Sequence, residues 1–300
     1  MPATMNPGAV YAALAFVTWG LYPLYFRLLA SVSAFELVLQ RALWSLIVIT
    51  LVLAWLQRWS WIVTLRREPR QLWRYAASAL LIAGNWLLYV WAVVQGHVLE
   101  ASLGYFINPL FNVALGVLVL RERLRPAQWL AVTLAALGVA WLTFAAGRLP
   151  WVALSLAAMF SLYGLVRKTA RLGALEGLSV ETALLAIVAL PVLAWWTLHH
   201  DGALLRGDAT LVAWLAFSGP LTVLPLLLFT AAARRLTLAT LGVLQYISPT
   251  LQFVLGVWVF GEAFDHTRLV GFVLIWAALL VYSADALGLG RARHVSQSKA

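Results

Sequence analysis

The chain has 300 residues, 63% of them hydrophobic and only 11% charged, with a mean hydropathy of +0.89. Soluble domains run at about 45–50% apolar and about 25% charged; a globular surface must be polar, so this composition excludes an ordinary soluble domain and calls for a bilayer as solvent. The net charge of +10 does not indicate nucleic acid, because the basic residues fall in short gaps between apolar runs, and the absence of cysteine excludes disulfides, thiolate metal sites and cysteine nucleophiles.

A membrane helix needs roughly 20 mostly apolar residues. Ten such segments are predicted in chain order: 8–26, 35–56, 75–95, 99–120, 126–145, 149–166, 179–198, 210–233, 237–260 and 268–287. The first carries Trp19 and Tyr22; with no charged leader or small-residue cleavage site before it, it is read as a retained helix. The second holds Arg41, the one Lys or Arg in the middle of a predicted span, with Gln40 before it and Trp44 after it. The third carries Asn85, Trp86 and Tyr89, and the fourth Tyr105, Asn108 and Pro109, ending at Glu122. The seventh opens near Glu181 and leads into His199-His200-Asp201, read as a solvated loop because adjacent residues point apart. The ninth carries Gln245, Tyr246 and Pro249 and ends at Glu262.

The basic residues alternate. Gaps after even-numbered segments, with the tail, hold sixteen: Arg58, Arg66, Arg67, Arg70 and Arg74; Arg121, Arg123 and Arg125; Arg167, Lys168 and Arg171; Arg234 and Arg235; Arg291, Arg293 and Lys299. Gaps after odd-numbered segments hold four, namely Arg27, Arg148, Arg206 and Arg268. The positive-inside rule then predicts a multi-pass protein of a cell (inner) membrane with both termini cytoplasmic.

The sequence also repeats. Shifted by 140 residues, Ile107, Pro109, Leu115, Gly116, Val117, Val119 and Glu122 fall on Ile247, Pro249, Leu255, Gly256, Val257, Val259 and Glu262. A shift of 141 lays Leu21, Tyr22, Leu24 and Arg27 on Leu162, Tyr163, Leu165 and Lys168. Leu and Val matches are cheap in an apolar chain; the Pro, Gly and Glu coincidences are not. The expected fold is therefore all-α, with two five-helix repeats at 1–146 and 147–300, the second ending in a short basic cytoplasmic tail. Five is odd, so the repeats must be inverted, the architecture of many secondary transporters with a site near the midplane.

Several runs carry a family resemblance. Glu100-Ala-Ser-Leu-Gly-Tyr-Phe-Ile-Asn-Pro109, Arg121-Glu-Arg-Leu, Gln128-Trp129, Asn85-Trp86-Leu87, Tyr163-Gly-Leu-Val-Arg-Lys168 and Leu241-Gly242 through Pro249-Thr250 resemble the RarD-type branch of the EamA family, in the drug/metabolite transporter superfamily. The resemblance runs from Trp19 to Asp285. It implies a permease built from two EamA repeats; the family is associated with chloramphenicol sensitivity, and relatives export amino acids and other metabolites. The family pattern often has His before the second-helix Arg, where this chain has Gln40.

The functional expectation is a secondary permease or exporter, working by alternating access, for a small polar or amphipathic metabolite or drug-like molecule. Candidate substrate-binding residues are Arg41, because a charge in a span is costly and usually functional, the polar Asn85, Asn108 and Gln245, and the aromatic Trp19, Tyr22, Trp44, Trp86, Tyr89, Tyr105 and Tyr246. Pro109 and Pro249 are candidate hinges, since proline frees a backbone carbonyl, and Glu122 and Glu262 are candidate gates or helix caps. Arg41 is expected to meet carbonyls freed at Asn108-Pro109 or to await a ligand. Glu181 reads as a proton carrier or as a residue at a helix start. Trp59, Trp61 and Trp73 read as interfacial residues on loops. No Gly-rich phosphate loop, His-Glu-x-x-His pair or nucleophile elbow occurs, so the chain is read as no enzyme, with no cofactor and no metal. Its expected partners are the small-molecule substrate, the lipid bilayer and protons as a candidate coupling ion, with no nucleic acid. The alternative reading is a lipid-handling membrane protein, a flippase or a head-group enzyme.

Overall fold

The structure, a computed structural model, describes residues 6–94, 98–145, 151–200, 202–205, 208–259 and 266–286. Glu262 lies outside them. Among the described residues there is no strand. The helices are α1 (Pro7–Gly20), α2 (Tyr22–Leu28), α3 (Ala34–Leu56), α4 (Ser60–Arg67), α5 (Leu72–Val94), α6 (Val98–Leu118), α7 (Pro126–Ala145), α8 (Trp151–Thr169), α9 (Ala174–His199), α10 (Ala209–Ala233), α11 (Leu238–Gln245), α12 (Ile247–Trp258) and α13 (His266–Ala286). Over the described residues, each predicted segment coincides largely with one or two of these helices. Among the described residues, five stretches are long and apolar enough to cross a membrane by length and composition: Pro7–Leu28, Ala34–Leu56, Pro126–Phe144, Ala174–His199 and Ala209–Ala233.

The helix starts follow from local chemistry. Asn6 accepts from Gly8 N ahead of Pro7 in the first turn, and Asp208 accepts from Thr210 N and Leu211 N to open α10. Ser33 accepts from Glu36 N at 3.2 Å. Glu36 does not reach back to complete a capping box. Its Oε1 accepts instead from Ala203 N at 2.8 Å, which spends the carboxylate nearest Arg41 in sequence.

Four boundaries differ from expectation. The first segment breaks at Leu21, where Pro23 cannot donate into the preceding turn. The ninth breaks at Tyr246, between α11 and α12. α8, the sixth segment, runs on to Thr169 and α9, the seventh, begins at Ala174, so Arg167, Lys168 and Glu181 lie within helices. The expected loop at Trp59–Trp73 is largely helical: Trp61 sits on α4 and packs against buried core, while Trp73 is exposed on the first turn of α5.

α1 packs on α10 and α12, α3 on α9 and α10, α5 on α8 and α9, α6 on α8 and α11, and α7 on α13. Lipid tails are as apolar as Leu, so such contacts rest on van der Waals fit, which small residues at crossings improve. A Cβ on Gly219 of α10 would stand 2.5 Å from Trp44 O of α3, and one on Gly242 of α11 would stand 2.7 Å from Pro109 O of α6. Phe16, Phe160, Tyr163 and Phe229 fill the centre with ring contacts that also engage Trp19.

Candidate functional site

Two interrupted helices and five continuous ones converge on a cavity of about 170 Å³; of the continuous ones, α8 brings Leu156 and Phe160 and α10 brings Leu226. At the first interruption Pro23 removes the donor that Trp19 O would have had within a continuous helix. Gln252 Nε2 supplies one from α12 at 3.3 Å. Trp19, Tyr22, Pro23 and Gln252, at this joint, all line the cavity. At the second interruption Pro249 similarly leaves Gln245 O without its helical donor, and Gln245, Ser248 and Pro249 line the same space. The pattern does not extend to α6, which runs through Pro109 without interruption. Tyr105 and Asn108, three residues apart and so on one helical face, are its lining residues with Gly104. α5 contributes Ile82, Asn85, Trp86 and Tyr89, at three- and four-residue spacings.

α3 contributes Arg41, which is the only charged side chain among the described lining residues. Its Nε donates to Thr222 Oγ1 of α10 at 3.0 Å. Its guanidinium carbon stands 4.7 Å from the Trp86 ring centroid and 5.6 Å from that of Tyr22. Such cation–π contacts stabilise a charge without neutralising it. Among the described residues no carboxylate pairs with Arg41. It does not meet the Asn108-Pro109 carbonyls; Ser161 Oγ donates there, to Asn108 O at 3.2 Å and also to Asn108 Oδ1.

The other polar groups are partly committed. Asn85 Nδ2 donates across to Leu156 O at 3.0 Å, so it holds α5 to α8 as well as facing the cavity. Gln245 Oε1 accepts from Asn112 Nδ2 at 2.9 Å. Tyr22 donates to Leu221 O at 2.6 Å.

Nine of the candidate binding residues therefore share one cavity: Trp19, Tyr22, Arg41, Asn85, Trp86, Tyr89, Tyr105, Asn108 and Gln245. Trp44 and Tyr246 stand outside it. Trp44 donates from Nε1 to Gln40 Oε1 at 3.2 Å and packs beside Tyr25 and Leu215. Tyr246 is buried against α7 and α13 and donates to Phe106 O at 3.1 Å. Pro23, Phe26, Gln252 and the Arg41 partner Thr222 were not foreseen; a proline and polar residues inside apolar runs were the available signals. Glu122 caps a helix remote in sequence, its carboxylate accepting from Leu238 N at 2.9 Å and Ala239 N at 3.2 Å at the start of α11.

Arg41 is not the one cation inside a helix bundle, as the sequence suggested. Arg167 and Glu181 are each 1% exposed, and Arg167 Nη1 lies 3.2 Å from Glu181 Oε1. Glu181 is two turns inside α9 rather than at its start. His199 and His200 stack on Trp195 and Trp196, and no group of three or more potential metal ligands occurs among the described residues.

Residues 6–144 match the model of the EamA-like transporter family. An uncharacterised transporter of Pseudomonas aeruginosa is 50% identical over 95% of each chain. Protein RarD of Escherichia coli is 44% identical over 93% of this chain and 95% of its own. A second Pseudomonas aeruginosa relative, described as a chloramphenicol-sensitive protein RarD, is 32% identical over 93% of each. A crystal structure at 19% identity shares the fold, with a TM-score of 0.69 over 95% of this chain and 99% of that one.

Proposed function

The chain belongs to the EamA-like transporter family and is a multi-pass membrane protein of RarD type, and from that premise we propose that it carries a small anion with a planar or aromatic body through the cavity at Arg41. The observation that carries this reading is one cation in an aromatic cavity, with no acidic partner among the described residues. A guanidinium offers carboxylate, sulfonate or phosphate a planar fork that Lys cannot reproduce. A cavity of about 170 Å³ is near the roughly 150 Å³ known to hold benzene, which suits one ring.

The transport mode proposed is alternating access between two inverted five-helix repeats, in ten spans, with both termini cytoplasmic. Two observations support it. One is the alternation of basic residues. The other is the packing. With α1–α2 as span 1, α8 as span 6 and α13 as span 10, contacts 4–6 and 9–1, 3–6 and 8–1, and 2–8 and 7–3 interchange under a shift of five. Contacts 2–7, 4–9 and 5–10 map onto themselves. In this orientation the cytoplasmic ends are tied by Glu122 on α11, by Lys168 Nζ on Ala233 O and Leu236 O, and by Arg234 on Leu172 O. A rocking motion must release these ties.

The test is binding to the purified chain in detergent, read by tryptophan fluorescence. Benzenesulfonate should bind and benzylammonium, of similar shape and opposite charge, should not. Arg41→Lys should weaken the sulfonate roughly tenfold or more, the scale of one lost charge-assisted hydrogen bond. Equal binding of both probes would remove the case for an anion site.

A further inference from the structure

Glu181 has surroundings that packing alone does not require. Its Oε1 faces Arg167 Nη1 and accepts from Ser78 Oγ, and its Oε2 lies 3.5 Å from the Tyr163 hydroxyl. It also borders a second cavity of about 20 Å³, shared with Ser45, Thr182, Thr222 and Trp86. That volume is enough for one water molecule. Ser45 Oγ is buried and has no hydrogen-bond partner among the described residues. Thr222 is the residue that accepts from Arg41 on the far side. A polar line thus runs from Glu181 through a water-sized space to Thr222 and on to Arg41, while Ile82, Trp86 and Leu226 border both cavities and separate them.

We infer that Glu181 is a proton-binding site of this chain, linked through a water held by Ser45 and Thr222 to the cavity at Arg41, and that its loading is coupled to transport. The inference rests on the anion reading for its coupling, not for proton binding itself. The step is a simple exchange. A proton from bulk water forms one O–H bond on the Glu181 carboxylate, no other covalent bond changes, and the same proton later leaves to water. With the carboxylate ionised, the ion pair holds α8 to α9. With it neutral, Arg167 keeps Ala174 O at 2.9 Å and Thr230 Oγ1 at 3.3 Å but loses its counter-charge. A buried charge left in that condition is costly, so protonation loosens the junction of α8, α9 and α10.

The groups facing Glu181 fit a two-state site. α8 presents Arg167 and Tyr163, and α5 presents Tyr75 with Ser78. α3 and α10 present Ala42, Ser45, Thr222, Val223 and Leu226, none of them titratable. One cation and one carboxylate therefore dominate the balance. At about 10 Å from the start of α9, by 1.5 Å per residue, the carboxylate is within reach of a short water path. Ionisable residues at such depth are costly and mark function more often than scaffold.

Infrared difference spectroscopy of the full chain in lipid, stepped between about pH 4 and 9 to bracket carboxyl titration, tests this with the proton as the only probe. Wild type should show the carbonyl stretch of a protonated, buried carboxylic acid, and Glu181→Gln should lose it. Ser45→Ala and Thr222→Val should each shift the band, because the bridging water loses a partner; an unlinked structural carboxyl would not respond. Glu181→Gln leaves Arg167 unpaired and can impair folding, so the Arg167→Gln/Glu181→Gln double variant serves as the second band-loss control. For coupling, the pH profile of benzenesulfonate uptake into vesicles should be sloped in wild type and flat in the folded variant lacking Glu181. Absence of the band in wild type, its persistence without Glu181, or an unchanged pH profile would overturn the inference. If wild type carries no benzenesulfonate, the anion reading and with it the coupling fall, while the infrared arms still decide proton binding.

Discussion

Trp19 O and Gln252 Nε2 are joined by a hydrogen bond of 3.3 Å between helices 233 residues apart in sequence. Pro23 has no N–H to offer the carbonyl four residues back; a cap N–H of the chain reaches Trp19 O, and Gln252 adds a second donor from another helix. The same two residues line the cavity. A side chain of one helix thus bonds to the backbone at the break in another, and the cavity lies at this joint.

This pairing makes the first prediction. Gln252→Leu should destabilise the protein by about 0.5–1.5 kcal/mol, the net worth of a typical hydrogen bond, because a backbone N–H at the end of α1 also reaches Trp19 O. In a Pro23→Ala background the restored N–H can serve Trp19 O, so the same change should cost much less. A double-mutant cycle on thermal midpoints in detergent checks it. Additive losses would mean that the bond contributes nothing measurable.

The second prediction concerns the prolines. Pro249 follows a real helix break, whereas Pro109 sits in a continuous helix. Pro249→Ala restores a donor for Gln245 O and favours closing the break. It should slow benzenesulfonate uptake more than Pro109→Ala does, with folded yield kept in both. Equal wild-type rates would make both prolines packing features.

Much of this chamber was legible in the sequence. Arg41, Asn85 and Asn108 stand out because polar groups are expensive in an apolar run, and Asn85 with Tyr89 shares a face by helical spacing. Trp44 and Tyr246 misled for a geometric reason. Trp44 lies one turn from Arg41 but points to the Tyr25 cluster, and Tyr246 lies at the break that turns it toward α13. Arg167 and Glu181 were hidden by their neighbours. Arg167, Lys168 and Arg171 read as a basic loop, and only a helix continued to Thr169 folds the first of them inward.

A third prediction tests Glu122. Glu122→Ala leaves Leu238 N and Ala239 N without acceptors, so α11 should lose a cap worth about 0.5–2 kcal/mol. The proposed cytoplasmic tie is lost with it. A cysteine at Ser248 in the cavity should then react faster with an impermeant thiol reagent in inside-out vesicles. An unchanged labelling rate would mean that Glu122 caps without locking.

Orientation is the fourth. The chain has no cysteine, so single cysteines report cleanly. In intact cells Arg70→Cys and Arg123→Cys should be shielded from an impermeant reagent, and Ala30→Cys and Ala209→Cys should react. The reverse pattern would invert the proposed topology.

The central claim is that Arg41 receives the anion that is moved. Uptake of radiolabelled benzenesulfonate by vesicles reconstituted with equal amounts of folded protein tests it most directly. Wild type should take up the probe, and Arg41→Ala and Arg41→Lys should both lose most of that uptake while remaining inserted and monodisperse. Uptake by Arg41→Lys at the wild-type rate would contradict the account, leaving Arg41 a point charge that lysine can replace.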